Sequence, residues 1–139
     1  MIKHFLMKPL LAVCVLLVSC AGQTGPTMVA LGQDFTLATG QSAELTGEDL
    51  TVKFIEVVED SRCPKNVTCI WAGQVSCVLE VRSGGSIERT VLTQPGLSQP
   101  SDGQEFRNYR IVFDVSPYPE AGKEIKQGDY RLMLNIEKK

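Results

Sequence analysis

Alternation of apolar and polar residues with a period of two, in runs too short to build a helix face, constrains this chain more than any other feature. In DYRLMLNIE (129–137), Tyr130, Leu132, Leu134 and Ile136 fall on one side and Arg131, Met133, Asn135 and Glu137 on the other. NYRIVFDVS (108–116) repeats the scheme with Tyr109, Ile111, Phe113 and Val115 inward, and QVSCVLEVR (74–82) with Val75, Cys77, Leu79 and Val81. A strand with one buried face has this period. LTVKFIEVV (50–58) starts in phase with Leu50, Val52 and Phe54, but Ile55, Val57 and Val58 break it, which predicts a bulge near Glu56 or burial on both faces. DFTLA (34–38), SAELT (42–46) and IERTVLT (87–93) are shorter candidates, and Gly84-Gly85 sits where a hairpin turn belongs. No stretch keeps helical spacing beyond two turns, and PEAGKEIKQG (119–128) has room for a single helical turn. About seven short strands separated by turn residues predict an all-β chain. The expected form is an antiparallel β-sandwich, immunoglobulin-like or related, with a small β-barrel as the alternative.

The N-terminus follows a different pattern. MIKHFLMK carries Lys3 and Lys8, PLLAVCVLLV is a run of ten apolar or near-apolar residues, and its last two residues lead into Ser19-Cys20 to make LVSC. A basic start, a short apolar run and a small residue before the break make a secretory signal, and the run is shorter than the ~20 residues a spanning helix needs. Leu17, Val18, Ser19 and Cys20 resemble the lipobox of bacterial lipoproteins, which implies cleavage before Cys20 and lipid on its sulfur. An ordinary secretory signal cut nearby is the alternative. More than one acyl chain makes such an anchor stable, at about 0.8 kcal/mol per buried methylene. Ala21, standing where an aspartate would signal inner-membrane retention, favours the outer membrane, facing the periplasm, in a host with two membranes. The expected organisation is therefore a signal peptide over 1–19, a flexible lipid-anchored tether over 20–33 (AGQTGPTMVALGQ after the cysteine) and a single domain over 34–139.

Removal of residues 1–19 takes the 14 basic residues to 12, through Lys3 and Lys8, against 16 acidic ones, a balance near −4. Such a surface does not suit nucleic acid or an anionic membrane. The same cut removes His4, the only histidine. A Ser-His-Asp arrangement then has no base, and a nucleophilic cysteine has none either. Paired carboxylates for glycoside hydrolysis could come from Glu56, Glu59 and Asp60, or from Glu120 and Glu124, but sixteen acids produce such neighbours without function. No calcium loop or glycine-rich phosphate cradle is present. The expectation is a non-enzyme without a cofactor.

DSRCPKNVTCIWAG (60–73) concentrates the remaining signal: two cysteines, a proline, a charge pair and the only tryptophan. Cys63 and Cys69 are close enough in sequence to bridge within one loop, and an exported protein meets an oxidising compartment. The expected disulfide closes seven residues and stabilises by about 2.4 kcal/mol on the chain-entropy model. Trp71 is then placed to cover one end of the core. C-x5-C between strands is not the C-x-x-C at a helix N-terminus that lowers a thiol pKa, and three cysteines without histidine lack a zinc set. Asn66-Val67-Thr68 matches a glycosylation sequon, which the lipoprotein signal makes accidental. Cys77 is expected as a buried small hydrophobe. Pairing with Cys63 or Cys69, or a reactive role, stays open. Asp60 and Arg62 flank Ser61 at the loop's mouth, either as a local ion pair holding the turn or as a polar recognition site beside Trp71.

D-S-R-C-P followed by V-x-C-x-W-A-G, on Asp60, Ser61, Arg62, Cys63, Pro64, Val67, Cys69, Trp71, Ala72 and Gly73, resembles the signature of a family of small secreted or lipid-anchored bacterial proteins. Y-R-I-x-F-x-V-x-P-Y-P from Tyr109 and D-Y-R-L from Asp129 resemble the same pattern, which then spans the chain from about Phe35. The resemblance implies an exported β-rich domain and assigns no catalytic residue. QGDYRL (127–132) separately resembles the tyrosine-corner region of immunoglobulin-like domains. The expected function is a lipid-anchored cell-envelope protein with a binding or structural role. Its contact surface is expected at loop 60–73 (Asp60, Arg62, Trp71), with the long polar loop 94–105 as a mobile neighbour. Its partners are the membrane, through the lipid, and an envelope protein or small ligand. A thiol-active redox or metal-binding protein using Cys63, Cys69 and Cys77 is the alternative, and an envelope protease inhibitor the third.

Overall fold

All seven segments with strand-like alternation form strands in the computed structural model, which describes residues 25–97 and 100–139. The signal peptide over 1–19, His4, the lipidation residue Cys20 and the first part of the tether lie outside the described residues. In chain order the strands are β1 (Thr27–Val29), β2 (Phe35–Ala38), β3 (Ser42–Leu45), β4 (Thr51–Asp60), β5 (Gln74–Ser83), β6 (Ser86–Pro95), β7 (Gln104–Phe106), β8 (Tyr109–Ser116) and β9 (Arg131–Lys138). The two beyond the expected seven are three-residue strands, too short to carry an alternation signal. β1 lies inside the segment expected to be tether, and β7 takes the end of the expected mobile loop. A 3₁₀ turn over Gln127–Asp129 overlaps the end of the segment expected to hold one helical turn.

Two sheets pack face to face and are not closed into a barrel: β1-β3-β4-β5-β6, and β2-β9-β8-β7. Pairing is antiparallel throughout except between β1 and β3, which run parallel. β3 to β6 lie side by side in chain order as a meander, unlike the strand order of immunoglobulin domains. The core fills the space between the sheets from the alternation read in the sequence. Val75, Cys77, Leu79 and Val81 of β5 face Ile111, Phe113 and Val115 of β8 and Leu132, Leu134 and Ile136 of β9, all buried. Tyr109 packs at the edge of this core.

The broken phase of β4 has a direct cause. Its register against β5 slips twice, between Phe54 and Glu56 and between Val57 and Glu59. Each slip leaves one extra residue on β4, so Phe54 and Val57 both reach the core while Val58 is exposed. Gln127, on the 3₁₀ turn, covers the second slip by accepting from the Val57 N–H and donating to the Val57 carbonyl. At the other end of the sheet, Gly84 and Gly85 join β5 to β6 with φ of 59° and 74°. Two left-handed residues between Ser83 and Ser86 make the hairpin turn that matches strand twist.

Candidate functional site

The strand ending at Asp60 delivers the chain into the loop, and Arg62 fixes where it goes. Its Nε and one terminal nitrogen donate to the two Asp60 carboxylate oxygens at 2.8 and 2.7 Å. The other terminal nitrogen donates to the Val115 carbonyl at 2.7 Å, and the first also reaches the Pro117 carbonyl at 3.0 Å. The guanidinium lies 4.9 Å from the centroid of the Tyr118 ring. Tyr130 donates its hydroxyl to Asp60 Oδ2 from the opposite sheet. Burial, then the neighbouring Asp60 charge, pushes that phenol up to about 12. Arg62 thus ties the end of β4 to the end of β8, with its charge paired to Asp60 and all three of its nitrogens donating.

This burial corrects one expectation. Arg62 was expected on a contact surface, yet it is only 3 % exposed. Together with Asp60 it forms the ion pair that holds the turn, because a guanidinium fork reaching two carbonyls of β8's end must lie between the sheets. The Tyr130 contact also departs from a tyrosine corner, since its partner is 70 residues away rather than a nearby backbone group.

Beyond Arg62 the loop closes on itself. Cys63 and Cys69 form the expected disulfide. Asn66 turns the ring with φ of 66°, a left-handed conformation asparagine tolerates. The Cys63 N–H donates to the Ala72 carbonyl and the Lys65 N–H to the Pro119 carbonyl, so both flanks of the ring are tied down. Gly73 closes the loop with φ of 70°, its α-carbon so near Ser61 that a β-carbon would stand 1.8 Å from the Ser61 carbonyl oxygen. Gly96 is fitted against the other side, where its N–H donates to the Gly73 carbonyl at 2.9 Å and a β-carbon would meet the Ala72 oxygen at 2.1 Å. Tyr118 completes the join by donating to the Gly96 carbonyl. Three segments, 60–73, 94–97 and 117–120, therefore form one knot at one end of the sandwich.

The knot exposes large apolar side chains beside the polar Lys65, Asn66 and Thr68. Ile70 is 94 % exposed, Trp71 81 % and Leu97 84 %, with Val67 also exposed on the ring. Trp71 does not cover the end of the core. The backbone hydrogen bonds of Cys63 and Gly73 seat the loop, Tyr118 and Arg62 fill the space beneath it, and the indole is left outside. Ile70 and Leu97 were missed in the sequence. Ile70 carried a signal, as a large apolar residue beside tryptophan in a segment without alternation. Leu97, alone among glycine, proline and polar residues, carried none.

Cys77 is fully buried on β5, opposite Val57 and Leu92. Desolvation pushes its thiol up to about 12, so it carries no thiolate at neutral pH. Among the described residues, no three histidine, cysteine, aspartate or glutamate side chains come together as a metal-ligand set. No protein-family model matches the chain, and no curated protein or solved structure shows significant similarity to it. The site is accordingly read from its own geometry: a stapled projection with large exposed apolar side chains, its Asp60–Arg62 pair buried beneath and Lys65 exposed on the ring.

Proposed function

We propose that this chain is a lipid-anchored cell-envelope protein whose role is binding without catalysis, with the contact surface on the stapled loop 60–73 and the adjoining Leu97. The observation that carries this proposal is the pair Ile70 and Trp71, held almost wholly in solvent on a loop that a disulfide and a buried arginine prevent from collapsing. Large exposed apolar side chains cost solubility, and grouped ones mark interaction surfaces. Tryptophan in particular is enriched among residues that dominate interface energetics. A preorganised loop loses little further entropy when it binds. The lipobox at Leu17–Cys20 supports the anchor, and Ala21 supports the outer membrane in a host with two.

The test is retention, on isolated envelopes of its host, of the domain secreted without its lipid anchor, so that the loop's contacts alone are read. Replacing Ile70 and Trp71 with serine should lower retention about tenfold, the loss of ~1.4 kcal/mol or more of contact energy, with the urea midpoint unchanged. Equal retention of the double variant and the wild type would remove the loop from the contact surface.

A further inference from the structure

The direction of β1 relates the proposed anchor to the apolar end of the domain. Thr27 pairs with Ala43, Ala43 with Val52, and Val52 with Val81. Because β1 runs parallel to β3 and opposite to β4, the chain preceding Thr27 heads toward the end where β4 finishes at Asp60, the end that carries the stapled loop. Thr27 is level with Val81, six residues along β5 from Val75 at that end, or about 20 Å at ~3.4 Å per residue. From Thr27 back to Cys20 is seven residues, which span at most about 24 Å when extended. Cys20 can thus reach the level of that end of the sheet with only a few ångströms to spare, while residues 61–73 project beyond it.

The two ends of the sandwich also differ in character. Residues 66–73 and 94–97 contain no charged side chain, and they present Val67, Ile70, Trp71 and Leu97 to solvent. The opposite end carries Glu48, Asp49, Arg107 and Lys138, with Lys138 paired to Glu48 and Asp49 capping the Gly84 N–H. The stapled end's own charges, exposed Lys65 and its bridge partner Glu120, lie at the join with 117–120, so segments 66–73 and 94–97 can enter an apolar phase without carrying an ion in. Tryptophan, with an apolar body and one N–H, is suited to the boundary between headgroups and acyl chains.

We propose that the apolar tip formed by Ile70, Trp71 and Leu97 inserts into the interfacial region of the bilayer that holds the Cys20 lipid, so that the domain stands with its stapled end on the membrane. This rests on the anchored binding domain proposed above and names the partner of the same loop. Insertion is driven by apolar burial rather than charge, in keeping with the acidic balance of the chain. The tip is rigid, so it enters without a disorder-to-order step, and the lipid supplies the effective concentration that a few apolar side chains alone would lack.

Trp71 is the only tryptophan, so its emission reports the tip directly. The full chain, purified from membranes of its host and reconstituted in vesicles of phosphatidylethanolamine and phosphatidylglycerol, is compared with the same chain in vesicles whose acyl chains carry bromine. The mass of the N-terminal peptide from the same sample reads the lipid on Cys20. Blue-shifted emission that loses most of its intensity to brominated lipid is the expected result, and Ile70→Ser with Leu97→Ser should weaken both effects. Lipid on Cys20 with water-like, unquenched Trp71 emission would overturn the insertion while leaving the anchored binding domain in place, and its partner would then be a protein. A chain without lipid would overturn the anchor, and the insertion with it.

Discussion

The guanidinium of Arg62 grips both carboxylate oxygens of Asp60, two residues earlier in the chain, while its remaining reach is spent on the carbonyls of Val115 and Pro117. The two side chains are 1 % and 9 % exposed, so neither charge has water to fall back on. One residue therefore satisfies a carboxylate and two carbonyls belonging to different sheets. Removing one partner of a buried pair typically costs about 3–5 kcal/mol, because the other charge is left uncompensated. Arg62→Ala should lose stability of that order, a large share of the ~5–15 kcal/mol available to a domain. Arg62→Lys should recover little, since an ammonium cannot present the planar fork. Urea unfolding measures both, and a wild-type midpoint for Arg62→Ala would contradict the role assigned to the cluster.

The Cys63–Cys69 bridge closes a ring that lies outside the core, so its loss should weaken the domain without dismantling it. Chain entropy for a seven-residue loop predicts about 2.4 kcal/mol. The Cys63→Ser, Cys69→Ser double variant should unfold at a correspondingly lower urea concentration with an unchanged β-sheet circular dichroism spectrum. Loss of the spectrum in buffer alone would mean that the ring is part of the folding unit.

Strand positions were legible because half-buried strands write their period into the sequence. Cys77 was placed in the core by its two-residue spacing from Val75 and Leu79, and that is where it lies. The bulge in β4 was legible for the same reason, as a phase error at Ile55 and Val58. β1 was not legible: three residues with one buried side chain, Val29, leave no period to read. The knot at the stapled end was half legible. Its disulfide follows from local spacing, but Arg62 looked like a surface charge because its partners Val115, Pro117 and Tyr118 come from more than fifty residues away. The fate of Trp71 depended on that same packing. With Arg62 and Tyr118 beneath the loop, the indole has no place in the core.

Cys77 should be chemically silent in the native state. A thiol pushed up to about 12 by burial presents essentially no thiolate at pH 7, and its neighbours on either side in the sheet leave no path for a reagent. Thiol labelling of the folded protein should leave Cys77 unmodified over hours, with full modification in urea. Rapid native labelling would show that β5 opens locally. Cys77→Ser, by contrast, should cost about 1–3 kcal/mol by placing a hydroxyl among apolar partners.

Tyr130 should lower the stability of the fold at high pH. Its phenol is raised to about 12 by burial and then by Asp60, against an ordinary value near 10. Ionisation is therefore easier in the unfolded chain. The stability contributed by the neutral phenol is fully present below about pH 10 and is lost as pH rises toward about 12. Tyr109, raised by burial and then by its hydrogen bond to Glu48, acts in the same direction. Urea midpoints measured from pH 8 to pH 12 should fall over the upper part of that range, and Tyr130→Phe should flatten the fall. An equally steep profile for Tyr130→Phe would assign the alkaline loss to other groups.

Gly96 is where the turn after β6 is fastened to the stapled loop, and the fastening depends on the missing side chain. A β-carbon there would stand 2.1 Å from the Ala72 carbonyl oxygen, which is backbone and already accepts from Cys63. Gly96→Ala must therefore push the 96–97 turn away from residues 72–73. Overpacking of this kind costs about 1–3 kcal/mol. Gly85→Ala is the matched control, since its β-carbon meets open space and only the left-handed φ of 74° penalises it, by roughly 1–2 kcal/mol. Stability alone will not separate the two, but hydrogen exchange will. The amide of residue 96, which donates to the Gly73 carbonyl, should lose protection in Gly96→Ala and keep it in Gly85→Ala. Retained protection in Gly96→Ala would mean that the loop yields instead, keeping the bond from residue 96 to the Gly73 carbonyl despite the added methyl.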